Sequence, residues 1–151
     1  MKLLGKSYDI VPSNPDNRFR PNLSDYSAFG SPSFVVKSNP CNPTGVTWRG
    51  DALRELVEFC SEPGRGGLFD EAYEFFQPNP AESAMKYVRD IDESNVFVVS
   101  AATKGLQAPG LRVGWVVASK QNIELFRNFS SIAMGGVARP SQICTAKMLE
   151  L

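Results

Sequence analysis

"NVFVVSA", residues 95–101, holds four consecutive apolar residues, Val96 to Val99, three of them β-branched. A short unbroken apolar run of this kind reads as a strand buried on both faces, the pattern of parallel sheets. Working outward, "LRVGWVVAS" (111–119) is a further strand. "KQNIELFRNFSSIAM" (120–134) has helical spacing, with Ile123, Phe126, Phe129 and Ile132 facing inward, and a last helix starts near Pro140. On the other side, "GGLFDEAYEFF" (66–76) mixes a brief strand with acids and aromatics, and "SFVVK" (33–37) is a short strand. Between them, "TWRGDALRELVEFCSE" (47–62) places Ala52, Leu53, Leu56, Val57 and Cys60 on one helical face. Thr47 is its expected N-cap, and "EPG" at 62–64 its stop. Residues 13–33, rich in Ser, Asn, Pro and Asp, read as loop. Strands alternating with helices predict an α/β fold, a mostly parallel sheet with helices on both faces.

Composition narrows the chemistry. The chain has 151 residues, with 42% hydrophobic and 21% charged, which is a globular balance. Basic and acidic residues are equal at 16 each, which points to neither a nucleic-acid nor a membrane surface. No run reaches the roughly 18 apolar residues of a membrane span, and the start does not resemble a signal peptide. Cys41, Cys60 and Cys144 are scattered and odd in number, which fits a reducing, cytoplasmic setting better than a disulfide framework. The count of zero histidines excludes histidine-based triads, Cys-His dyads and nearly all imidazole zinc sites. Proton transfers must then use Lys, Tyr, Asp, Glu or a cofactor.

Three stretches fall at predicted strand ends: "NPCNPTG" (39–45), "FDEAY" (69–73) and "ATKGLQAPGLRVGW" (102–115). Ligands of open α/β sheets gather at the carboxyl ends of strands. The first stretch has two Asn-Pro pairs three residues apart, a stiff loop suited to holding a side chain still. Together the three supply an amide, a carboxylate, a phenol, a lysine and an arginine. That set suits a cofactor that forms a Schiff base with lysine and carries a phosphate, and pyridoxal 5'-phosphate is the natural candidate.

In these ordered motifs the chain resembles the large domain of class I/II aminotransferases, in the fold-type I family of pyridoxal-phosphate enzymes. The resemblance runs from the strand-like "YDIVP" (8–12) to the last helix. It implies that Lys104 holds the cofactor as a Schiff base and then moves the proton between substrate and cofactor. It implies that Arg112, eight residues on, binds the phosphate, for which a guanidinium fork is suited. Asp70 would bond the pyridine nitrogen and keep it protonated. Tyr73 and Asn42 would donate to the phenolic oxygen, which lowers the proton affinity of the Schiff base. Asn39 reads as a turn former and Glu71 as structural.

The chain also departs from the family. A phosphate-binding serine usually stands three residues before the lysine, where this chain has Ala101. Ser100 and Thr103 flank it, and Ser100, reaching in through a local bulge, is the expected substitute. "SEPGRGGLF" (61–69) is more glycine-rich than the usual strand there. Nothing resembles the upstream phosphate loop or the C-terminal small domain, so residues 1–151 are expected to be an internal fragment of the large domain. The implied activity moves an amino group between an amino acid and a 2-oxo acid, in a homodimer of the full-length protein. The same residues also serve lyases and decarboxylases of this scaffold, and cofactor-sensing domains of some transcription regulators.

Overall fold

Four strands form one sheet in the computed structural model, which describes residues 5–77 and 80–150. They are β1 (Ser33–Ser38), β2 (Arg65–Asp70), β3 (Val96–Ala101) and β4 (Gly114–Val117), in the order β1-β2-β3-β4. The pairs β1–β2 and β2–β3 are parallel, and β3–β4 is antiparallel. The register sets Ser38 beside Asp70 and Asp70 beside Val99, so three strands finish level at one edge. Because β4 runs the other way, its first residue, Gly114, sits at that same edge beside Ala101. The helices are α1 (Leu23–Ser27), α2 (Gly50–Cys60), α3 (Lys120–Ala133) and α4 (Arg139–Leu149).

The core lies on one face of the sheet. Leu53, Leu56, Val57, Phe59 and Cys60 of α2 are buried, together with Phe69, Val96 and Val98 of the sheet and Ala84. Each buried Leu, Val or Phe of this kind contributes about 1.5–3 kcal/mol relative to exposure. The glycine-rich segment is where other groups close in. A Cβ on Gly67 would lie 2.8 Å from Cys60 Sγ, and one on Gly66 would lie 2.7 Å from the Phe34 ring. Those glycines thus let α2 and β1 approach β2.

The opposite face is only partly covered. Phe34 and Val36 are exposed, and α3 reaches this face where Phe126 packs on Phe97, with ring centroids 5.8 Å apart. Strand β3 accordingly alternates between buried and half-buried residues and is not buried on both faces. Phe126, Phe129 and Ile132, expected to point inward, are exposed, and of the three only Phe126 has an aromatic contact, with Phe97, among the described residues. Residues 8–12 form no strand, and Tyr8 and Ile10 stand in solvent. Within the expected loop 13–33, the short α1 forms, and the Asp25 carboxylate accepts from the Asn22 N–H at 2.7 Å.

Thr47 does not cap α2. The helix starts at Gly50, whose N–H donates to Glu82 at 2.7 Å, so a carboxylate from a distant segment satisfies the helix end. Hydrogen bonds from Lys86, the Gly50 N–H and Tyr87 bring the Glu82 pKa down to about 2.

Glu71 is the other polar joint. It is fully buried, its Oε1 accepts from the Ala84 N–H at 2.7 Å, and its Oε2 has no partner. Burial pushes its pKa up to about 7, against the hydrogen bond from the Ala84 N–H. The folded chain therefore keeps a proton that the unfolded chain releases above the ordinary value of 4.5. Stability falls as pH rises from about 4.5 through about 7, by up to ~3 kcal/mol in all. Glu71→Gln keeps the acceptor for Ala84 and removes the ionisation. Urea unfolding at pH 5 and pH 8 is expected to show that decline in the unsubstituted protein and a flatter response in the variant.

Candidate functional site

The level strand ends bring most of the sequence-predicted residues to one edge. At the end of β1, the Asn39 N–H continues the ladder by donating to the Asp70 carbonyl at 2.8 Å. The Asn39 side chain is fully buried and grips Trp48 twice: its Oδ1 accepts from the Trp48 N–H at 2.7 Å, and its Nδ2 donates to the Trp48 carbonyl at 3.1 Å. Asn39 therefore does more than form a turn. It clamps the far end of the loop to the near end. Inside that clamp, the Gly45 N–H donates to the Cys41 carbonyl at 2.7 Å and the Cys41 N–H to the Val46 carbonyl at 2.9 Å. Asn42 stands exposed on the stiffened turn.

Asp70 is the last residue of β2. It follows the buried Phe69, so strand alternation turns it to the less covered face of the sheet. Its Oδ1 accepts from the Ala72 N–H at 3.1 Å, which fixes one carboxylate oxygen, and the other has no hydrogen-bond partner among the described residues. Tyr73 follows, just before a 3₁₀ turn at Glu74–Phe76.

After β3 the chain turns through residues 102–108. The turn is closed by the Gln107 N–H to the Lys104 carbonyl at 3.0 Å and by the Ala108 N–H to the Ala102 carbonyl at 3.1 Å. Lys104 is exposed on it, and its Nζ lies 5.6 Å from the centre of the Tyr73 ring, within cation–π range. Arg112 closes a second turn just before β4, in a left-handed conformation (φ 55°). One guanidinium nitrogen donates to the Pro109 carbonyl at 3.2 Å, and the group is otherwise exposed.

Ser100 stands apart from this set. There is no bulge: Ser100 pairs with Trp115 and Ala101 with Gly114 in regular register. Ser100 therefore faces the core, away from Asp70, and is buried. Its hydroxyl is 2.7 Å from Glu74 Oε1 and 3.3 Å from the Glu71 carbonyl. With one proton to give, it donates to the nearer carboxylate. The other flanking hydroxyl, Thr103, is half-buried in the turn before Lys104. Sequence reasoning missed Glu74 and Gly105. The glycine after the lysine was the available signal, since a Cβ there would lie only 1.9 Å from the Phe75 ring.

One sheet edge thus carries a carboxylate, a phenol, an amide, an ammonium and a guanidinium. A groove of about 460 Å³ lies at the opposite, amino-terminal edge, where Glu58, Glu62, Asp90 and Glu93 make it unsuitable for an anion. No helix among the described residues is long and apolar enough to cross a membrane.

Known proteins resemble the chain in sequence and in fold. A family model described as aminotransferase class I and II matches residues 10–150. The chain is 28% identical over 158 residues to "Aminotransferase swnA" of Arthroderma benhamiae, covering 92% of this chain and 31% of that protein. It is 30% identical over 121 residues to "1-aminocyclopropane-1-carboxylate synthase 6" of Arabidopsis thaliana, covering 76% and 24% respectively. Among solved structures, a PLP-dependent aminotransferase from Streptococcus suis superposes with a TM-score of 0.82 at 26% identity, over 99% of this chain and 41% of that one. The chain therefore spans about a third or less of the curated relatives it matches. By its sequence, its fold and the order of its motifs, the chain belongs to the aminotransferase class I and II family.

Proposed function

We propose that these residues form the cofactor-binding part of a pyridoxal-phosphate-dependent aminotransferase, which moves an amino group between an amino acid and a 2-oxo acid. The observation that carries the reading is the meeting of Asp70, Tyr73 and Lys104 at one strand edge, with the Lys104 ammonium over the Tyr73 ring. The donor set fits the group. An acid for a ring nitrogen, a phenol and an amide for a phenolate and a guanidinium for a phosphate all stand at that edge, and no histidine competes. When bound, pyridoxal phosphate supplies an electron sink for charge developing beside the amino nitrogen.

Each residue then has a stated task. Lys104 supplies the amine for a covalent carbon–nitrogen link to the cofactor, and once released it serves as the base that carries a proton. Asp70 keeps one carboxylate oxygen free to accept from a protonated ring nitrogen, while its other oxygen is held by the Ala72 N–H. Tyr73 and Asn42 donate to the phenolate oxygen. Arg112 binds the phosphate with the guanidinium edge not engaged by Pro109. Thr103 is the hydroxyl that joins it in this reading, because Ser100 is committed to Glu74. The family resemblance supports a cytoplasmic homodimer as the working form. The likeness to a synthase keeps a second reading open, a lyase on the same residues.

Borohydride reduction of the complete protein with pyridoxal phosphate, followed by peptide mass mapping, is expected to leave a pyridoxyl mass on Lys104 and none in Lys104→Ala. A label that persists in the variant would overturn the assignment. Amino acids mixed with the loaded protein should yield the 2-oxo acid and an aminated cofactor. Release of ammonia or carbon dioxide instead would select the lyase or decarboxylase. Arg112→Lys should weaken cofactor binding about tenfold or more in equilibrium dialysis, because a point charge replaces a bidentate fork. Unchanged affinity would remove Arg112 from the phosphate site.

A further inference from the structure

The segment after Asp70 is fastened to the end of β3 and the Lys104 turn at three successive residues. The Tyr73 ring lies under the Lys104 ammonium at 5.6 Å. Glu74 Oε1 accepts the Ser100 hydroxyl at 2.7 Å. The Phe75 ring lies so close over Gly105 that no side chain larger than hydrogen fits there. Residues 73, 74 and 75 thus each touch the 100–105 segment. The 3₁₀ turn at Glu74–Phe76 is itself closed from within, by the Glu74 N–H to the Glu71 carbonyl at 2.8 Å and the Phe76 N–H to the Tyr73 carbonyl at 3.0 Å. A rigid turn held to that segment at three points fixes the separation of the side chains that the two carry.

We propose that Glu74, through Ser100, and Phe75, through Gly105, form a clasp that positions the Lys104 amine against Tyr73 for its attack on the cofactor. Glu74, Ser100, Phe75 and Gly105 are positioning residues, since they act through one another and the turn that carries Lys104. The inference rests on the reading that Lys104 carries pyridoxal phosphate. In the covalent step the Lys104 ammonium first gives a proton to solvent. Its nitrogen would then add to the aldehyde carbon and form a carbon–nitrogen double bond, the aldehyde oxygen leaving as water with the two hydrogens that remained on the amine. That step depends on the amine lying within reach and in line, and a displacement of about 1 Å is costly. Non-covalent docking of the ring and phosphate is shared instead among several groups, of which Asp70, Asn42 and Arg112 lie outside the clasp and Tyr73 and Thr103 border it.

Two probes separate these steps in the cofactor-free complete protein. The first is pyridoxal phosphate, with its covalent capture followed by the visible absorbance band and located by borohydride and peptide mapping. The second is 4-deoxypyridoxine 5'-phosphate, which has no aldehyde and binds without capture. Glu74→Ala is expected to slow capture about tenfold or more while the affinity for the deoxy analogue stays within about twofold. Glu74→Gln is expected to restore the capture rate to within about twofold, because the amide oxygen still accepts the Ser100 hydroxyl. Ser100→Ala should reproduce the split, and it stands in if Glu74→Ala fails to fold. Capture at the unsubstituted rate in both Ala variants overturns the clasp. So does a parallel loss of capture and analogue binding, which marks damage to the fold. Absence of a label on Lys104 in the unsubstituted protein overturns the underlying cofactor reading, and is distinguishable from both.

Discussion

The parallel register of β1, β2 and β3 is the constraint on which the rest of the arrangement depends. Parallel pairing carries each strand in the same direction, so the chain must leave all three at one edge. Ser38, Asp70 and Val99 are level there, and the ladder runs one residue further through the Asn39 N–H to Asp70 and the Glu71 N–H to Val99. A slip of β2 by one residue would turn Asp70 to the core and Phe69 to the open face. The same slip would part the Asp70–Tyr73 segment from the Lys104 turn. The antiparallel β4 then delivers Arg112 to that edge from the other direction.

That register is held from the covered face by apolar packing and by a few buried polar joints. The carboxylates of Glu71 and Glu82 each satisfy a backbone N–H well away in sequence, at Ala84 and Gly50. The side chain of Asn39 does the same for Trp48. A buried backbone donor left unpaired costs about 1–3 kcal/mol, so these side chains fix where the loops lie as well as how stable they are. Glu71 has a second consequence. Its neighbours on either side are Asp70, which faces the open side, and the turn that carries Tyr73. The group whose ionisation opposes folding is thereby one residue from the edge where the candidate site lies.

The sheet and the site edge were legible in the sequence, and the outer layers were not. Apolar runs located all four strands, and the spacing of Leu53, Leu56, Val57 and Cys60 located α2, because both depend on short-range periodicity. Periodicity does not say whether a partner is present. Phe126, Phe129 and Ile132 have the spacing of a packed helix face, yet they lie exposed. The cap of α2 differs from the local expectation for a related reason. Thr47 is a good local candidate, but the acceptor that Gly50 uses comes from Glu82, 32 residues away, and no local pattern reveals it. Asn39 was underrated because its partner, Trp48, lies across the loop.

Ser100 shows most directly why spacing along the chain is not enough. The residue types around the lysine, serine, alanine and threonine, are nearly interchangeable as a composition. In a strand the side-chain period is two, so a hydroxyl moved by one position moves to the other face of the sheet. Only a bulge would bring it back, and the regular pairing of Ser100 with Trp115 and of Ala101 with Gly114 leaves no bulge. A buried hydroxyl needs a partner, and the carboxylate of Glu74 provides one at 2.7 Å. The alanine at position 101 therefore does more than remove a hydroxyl from the open face. With serine one residue earlier, the same strand end acquires a tie to the turn behind Tyr73, and the segment that carries the lysine is held from the core side.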